Sequence, residues 1–275
     1  MNQIDAVITW VDGNSKRHRE RRLHYMSKEH SELHENAINP HRWECDNEII
    51  YCLQSISNHA PWIGTIWIVV DDEIPDLSSL PDALRSKILF SYHHEIFADF
   101  QDAIPTFNSL AIESLLWRIE GLSEQFLYFN DDVFLTAPLN PTDVFVDNAP
   151  VLRGNWVNYA RIISEPDAHK NPALFNHFMQ INAAKMIGFK ETHLFAAAHV
   201  VHPFLCSRME RLFSSFANAF TSNITHRFRD LSQFLPQGLH NHACINEGNA
   251  VFNLEKDYTH IWSGIGLTSS SGDTQ

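Results

Sequence analysis

The chain has 275 residues, 44% of them hydrophobic and 12% aromatic, which is enough to bury a full core and too much for a disordered segment. With 20 Lys and Arg against 33 Asp and Glu, the formal charge of −13 argues against a nucleic-acid or anionic-membrane surface as the main partner. The cysteines, Cys45, Cys52, Cys206 and Cys244, form no CxxC pair, so neither a disulfide framework nor a zinc ribbon is indicated.

Ile4 to Val11 is β-rich and runs into Asp12-Gly13-Asn14, so a strand should deliver Asp12 to its C-terminal tip. No basic region precedes this apolar run, which breaks at Asp12; neither a signal peptide nor a transmembrane helix is expected, and the expected compartment is the cytoplasm. Lys16, Arg17, Arg19, Arg21 and Arg22 follow on a segment that can be helical to about His30, either as a solvated face or as a phosphate-facing patch. Asp46 is the expected N-cap of a helix with Ile49, Ile50, Leu53 and Ile56 on one face, stopped at Ala60-Pro61. Thr65 to Val70 reads as a second strand, ending in Asp71 and Asp72, and Lys87 to Phe90 as a weaker one. Pro105-Thr106 should introduce a helix with Ile112, Leu115, Leu116 and Ile119 on one face, ended by Gly121.

Phe126 to Leu135 reads as a central strand interrupted by Asn130, Asp131 and Asp132. Burying adjacent carboxylates costs several kcal/mol unless a cation or donors receive them, so they belong at a strand end facing positive charge. An Asx-type turn accounts for the same residues. Strands alternate with helices, and the strands ending at Asp12, Asp71 and Asp131 put acids at one end, where parallel α/β sheets bind ligands. Beyond them, Leu174, Phe178 and Ile181 suggest a helix ended by Gly188. From Pro203, the residues Leu205, Met209, Leu212, Phe213 and Phe216 suggest an amphipathic helix with Pro203 near its first turn. The expected organisation is a Rossmann-like α/β core over 1–150, a lid or inserted subdomain over 151–194, a segment completing the core over 195–263, and a loose tail over 264–275.

Seventeen histidines make most of them structural by default. His240, His242 and Cys244 have zinc donors without the paired spacing of structural zinc. His199 can be a satisfied core histidine or a general base, and Arg227 and Arg229 a surface pair or a fork for a phosphoryl group.

Several ordered motifs resemble the Stealth family. They are Ile4 to Gly13, Arg42 to Ile56 with Asp46-Asn47-Glu48, His59-Ala-Pro-Trp62, Pro105 to Ser109 with Ala111-Ile-Glu-Ser114, Leu127 to Asp132, and Ala198-His199 through His226-Arg-Phe-Arg229 to Asn246-Glu-Gly-Asn249. That family contains bacterial capsule hexose-1-phosphate transferases and the catalytic subunit of the lysosomal-enzyme N-acetylglucosamine-1-phosphotransferase. The resemblance implies a mostly parallel, Rossmann-like sheet flanked by helices, with Asp12, His199 and Arg229 catalytic. It also implies that Asn108, Asn130, Arg227 and Arg42 bind substrate, and that Asp131 and Asp132 hold Mg²⁺ or Mn²⁺. The implied partners are a nucleotide-sugar donor and a polysaccharide or glycan acceptor, with peripheral attachment to a capsule assembly complex at the inner face of the membrane as a further option. A metal-dependent glycosyltransferase or a non-catalytic carbohydrate-binding relative are the alternatives. Two departures stand out: Val201 occupies a position where the family usually has Pro, and Asp257 to Ser263 contains no acid pair.

Overall fold

The computed structural model describes residues 3–29, 33–39, 43, 46–253 and 255–260. Its first half runs β1 (Ile4–Thr9), α1 (Lys16–Met26), α2 (Glu35–Ile38), α3 (Glu48–His59), β2 (Ile66–Val70), α4 (Asp82–Arg85), β3 (Ile88–Tyr92), α5 (His93–Ile96), α6 (Ser109–Glu113) and β4 (Gln125–Asn130). The second half runs β5 (Phe145–Val146), β6 (Ala149–Val157), α7 (Ala160–Ser164), α8 (Phe175–Met186), β7 (Leu194–Ala197), β8 (His202–Leu205), α9 (Cys206–Ser215), α10 (Ala217–Thr225), α11 (Pro236–Asn246) and β9 (Val251–Asn253).

The main sheet has the order β3-β2-β1-β4-β8, parallel except for β8, so the α/β fold with a mostly parallel sheet flanked by helices is as expected. Strands buried on both faces explain the unbroken apolar runs of β1 and β4. Ile8 and Phe129 pack with Ile49, Leu53 and Ile56 of α3 on one face; Val7 and Tyr128 pack with Ala111 of α6 and with α9, α10 and α11 on the other. Because β1, β2 and β4 run parallel, Asp12, Asp71 and Asp131 all lie beyond their carboxyl ends.

Three helix starts differ from expectation. Asn47, at φ 61°, and not Asp46 is the residue before α3, while the Asp46 amide donates to Glu48 Oε2 at 2.8 Å. The helix expected from Pro105 begins only at Ser109, because the Asn108 side chain accepts from the Leu110 amide and supplies the cap. Pro203 lies in β8, opposite Leu127, and the amphipathic helix starts at Cys206. An edge strand tolerates a proline, whose missing N–H can face away from the ladder.

The second, smaller sheet is built on β6, which pairs with β5, β7 and, in parallel, β9. The expected boundary at 150/151 therefore falls inside a strand. Gly154, at φ 156°, is required where β6 meets β7: a Cβ there would come within 2.2 Å of the Ala196 carbonyl oxygen. Helix α8 packs against α11 and contributes Ala183 to the main core. Among the described residues, no helix is long and apolar enough to cross a membrane.

Candidate active site

The end of β4 sets the geometry. Thr9 pairs with Asn130, and the chain then turns, with the Val133 amide donating to the Asn130 carbonyl at 3.1 Å. Val133 and Leu135 return to the core, while Asp132 in the turn and Phe134 beyond it stay exposed. Burial, then Asp132 and then Glu48 push the Asp131 carboxyl up to about 7. Asp132 behaves oppositely. His199 Nε2 lies 3.5 Å from Asp132 Oδ1, and this hydrogen bond holds Asp132 below the usual carboxylate range while raising His199 above the usual imidazole value. The His199 loop is fixed by the Ala198 amide, which donates to the Arg153 carbonyl at 3.0 Å, and by buried Val200 and Val201.

Beneath the pair lies a polar cluster on the α6 face of the sheet. Arg229 Nη2 donates to Ser109 Oγ at 2.9 Å and Nη1 to Asn36 Oδ1 at 3.3 Å, while its Nε has no partner. Glu113, 5% exposed, is pushed up to about 7 by burial, with Arg229, Ser109 and Tyr128 pulling the other way. Buried Tyr128, the residue of β4 facing this side, shares a hydrogen bond of 3.0 Å with Thr9. Glu113 and Arg229 are near enough to His199 to act on it electrostatically, Glu113 favouring its charged form and Arg229 opposing it.

The remaining expected residues divide differently. Asp12 Oδ1 accepts from the Asn14 amide at 2.9 Å and, with Val11, lines a small pocket on the β1–β2 side together with Arg17, His18, Arg21, Asp71 and Asp72. There the basic run meets the second acid pair: Arg21 Nη1 bonds Asp71 at 2.7 Å and Asp72 at 2.9 Å, and Arg17 bonds Asp72. Arg22 lies 4.2 Å over the Trp43 ring. Asn108 is 1% exposed and saturated within the fold, donating to the His226 and Phe228 carbonyls and to Gln233 Oε1; this supports the Arg229 loop and leaves no group for substrate. Arg227 is likewise engaged, with the Pro105 and Asp102 carbonyls and the Tyr25 ring. Asn130 ends β4 directly before the acid pair, and Arg42 lies outside the described residues.

On α11, His240 Nε2 accepts from the Leu205 amide and His242 Nε2 from the Phe195 amide, each at 3.1 Å. Burial pushes His240 down to about 3 and also lowers His242. They are neutral acceptors joining the helix to both sheets, so the apparent zinc donors are architectural. Asp257, in the segment without an acid pair, forms a two-pronged ion pair with buried Arg153 at 2.7–3.0 Å. This anchor brings His260 alongside His199, with ring centroids 5.8 Å apart.

Sequence reasoning singled out neither Glu113, Tyr128, Ser109, Asn36 nor His260. Glu113 had a usable signal, since a carboxylate among Leu110, Ala111 and Leu115 sits on the buried side of its helix. A divalent cation suits the acid pair, where burial and then the neighbouring Asp132 and Glu48 carboxylates all raise the Asp131 carboxyl. Among the described residues no three His, Cys, Asp or Glu groups gather at metal-ligand spacing. Mg²⁺ fits this restriction, because it is commonly held by one or two carboxylates plus substrate phosphates and water.

Residues 2–29 match the model of Stealth protein conserved region 1, and residues 42–151 that of conserved region 2. A capsular polysaccharide phosphotransferase of Haemophilus influenzae is 32% identical over 266 residues, covering 93% of this chain and 69% of that protein. The chain belongs to the Stealth family. Another similar protein, the capsular polysaccharide phosphotransferase WcwK of Streptococcus pneumoniae, is 30% identical over 263 residues, covering 84% of this chain and 75% of that protein. An exopolysaccharide phosphotransferase of Streptomyces coelicolor is 43% identical over 145 residues, 53% of this chain. The chain spans 23% of that protein's length and 42% of another from the same organism. Conserved region 1 supplies β1, Asp12 and the basic helix; conserved region 2 supplies α3, Asn108, Glu113 and the acid pair. His199 and Arg229 lie outside both matched segments; the fold brings His199 to Asp132 and Arg229 to Ser109 and Asn36.

Proposed function

We propose that this protein is a sugar-1-phosphate transferase that moves hexose 1-phosphate from a nucleotide sugar to a hydroxyl of a capsular or exopolysaccharide acceptor. The observation that carries this reading is the ion pair of Asp132 with His199 beyond the carboxyl end of β4, with the Arg229 cluster near enough to act on His199. Phosphoryl transfer demands charge neutralisation and in-line positioning more than covalent chemistry, and this set is suited to that task.

The acceptor oxygen attacks the phosphorus bearing the sugar, forming one P–O bond, and the bond to the nucleoside monophosphate breaks. Arg229, oriented by Ser109 and Asn36, neutralises the phosphoryl oxygens. Asp132 stabilises the charged form of His199, which suits His199 to deliver a proton to the departing phosphate. Asp12 is the carboxylate at the same edge assigned to the acceptor's proton. Asp131 and Asp132 would hold Mg²⁺ or Mn²⁺, which supplies charge neutralisation of the phosphates when bound. The same reading places the protein in the cytoplasm, peripheral to a polysaccharide assembly complex at the inner membrane face. Chromatography of the nucleotide released on turnover tests it: nucleoside monophosphate is expected, and nucleoside diphosphate would replace phosphoryl transfer with glycosyl transfer.

A further inference from the structure

Arg153 ties together two segments that each carry a histidine. Its carbonyl accepts from the Ala198 amide at 3.0 Å, directly before His199. Its side chain is buried, and the guanidinium holds Asp257 through Nε and Nη2 at 2.7–3.0 Å. Nη1 donates to the Asp143 carbonyl at 2.9 Å, which fixes the plane of the fork. The segment after β9 is shaped to meet it: the Asn253 side chain accepts from the Glu255 amide at 2.9 Å and donates to Asp257 at 2.8 Å. A buried guanidinium without its carboxylate is costly, and a two-pronged pair fixes direction as well as distance. An exposed segment is thereby pinned to the sheet that carries the His199 loop.

What the pin achieves lies three residues further on. His260 is exposed, and its ring centroid is 5.8 Å from that of His199, with the planes tilted by 39°. Asp132, 3.5 Å from His199 Nε2, is near enough to His260 to feel its charge as well. Two imidazoles from separate segments are thus brought to one exposed carboxylate, and each ring presents at least one N–H whatever its charge. A phosphate, with several acceptor oxygens, can be received by both rings at once. We propose that His260 is a second imidazole contacting the departing phosphate, beside His199, and that Arg153 and Asp257 are the positioning pair that sets it there. This assignment rests on the reading of the protein as a phosphotransferase, and it adds residues 255–260 to the site.

Calorimetric titration with UMP, CMP, AMP and GMP in the presence of Mg²⁺ tests it without turnover. The wild type should bind at least one of these mononucleotides. His260→Ala should weaken that affinity about tenfold, the loss of one hydrogen bond to a charged group, with the melting temperature unchanged. His260→Gln, which keeps an N–H donor, should recover most of it. Asp257→Asn, which keeps an acceptor for Arg153, should weaken binding by a similar factor, and should weaken it no further in the His260→Ala background. Binding of none of the mononucleotides, affinity undiminished in folded His260→Ala, or an Asp257→Asn effect of equal size in both backgrounds would each overturn the assignment. Nucleoside diphosphate released by the wild type on turnover would instead overturn the phosphotransferase reading, so the two failures are told apart.

Discussion

His240 and His242 on α11 are buried, neutral and bonded to backbone amides of β8 and β7, whereas His199 is 41% exposed, faces Asp132 and is held toward its charged form. In sequence the α11 group looks richer, with His240, His242 and Cys244 inside five residues. The difference teaches that donor spacing alone does not make a site. A histidine whose ring nitrogen already accepts an amide proton has nothing to offer a ligand, and burial makes its protonation costly. A histidine opposite an exposed carboxylate, with Arg229 and Glu113 behind it, can hold and move a proton.

The largest expected effect lies on the reactive side of this contrast. Arg229→Lys keeps the charge but loses the planar fork, and kcat should fall about 10²-fold or more while the melting temperature holds, as measured by steady-state kinetics and calorimetry. Normal turnover would return Arg229 to a structural role. A crossed pair comes next. His199→Ala should reduce kcat about 10²-fold with less than about 1 kcal/mol change in stability, since its partner is exposed. His240→Ala should lose about 3 kcal/mol in denaturant titrations by stranding the Leu205 amide and opening a cavity, with kcat nearly intact in the folded fraction. If the two histidines exchanged these phenotypes, the contrast would be wrong.

The smallest effect is electrostatic. Asp131 and Glu113 are both raised in the folded state, to about 7, so their favourable contribution is complete below their unfolded values and is lost as pH rises through about 7. The melting temperature of the metal-free protein should therefore decline across that interval, and Asp131→Asn should flatten part of the slope. Mg²⁺ favours the ionised pair, so its stabilisation should grow as pH rises. A Mg²⁺ effect independent of pH would remove the cation from Asp131.

The sheet was legible because strands buried on both faces must be continuously apolar, and because Asp12, Asp71 and Asp131 mark their carboxyl ends. Which of those acids face a ligand was not legible. Asp71 and Asp72 resemble Asp131 and Asp132 in sequence, yet Arg17 and Arg21 answer them from 50 and 55 residues away. Asn108 and Arg227 sat in motifs that pointed to substrate, but the loop carrying Arg229 consumes their hydrogen bonds. That demand arises from packing 118 and more residues apart, which no local pattern records. Pro203 read as a helix start because its placement on an edge strand depends on the neighbour it pairs with.

The central claim, that the Asp132–His199–Arg229 site performs phosphoryl transfer, is tested most directly by phosphorus NMR of the glycan product made from an acceptor enriched in ¹³C. The account predicts a phosphodiester whose phosphorus couples to the acceptor carbon in the wild type, and loss of that signal in folded Arg229→Lys. A glycan product free of phosphorus, or an undiminished phosphodiester from the Arg229→Lys enzyme, would contradict it.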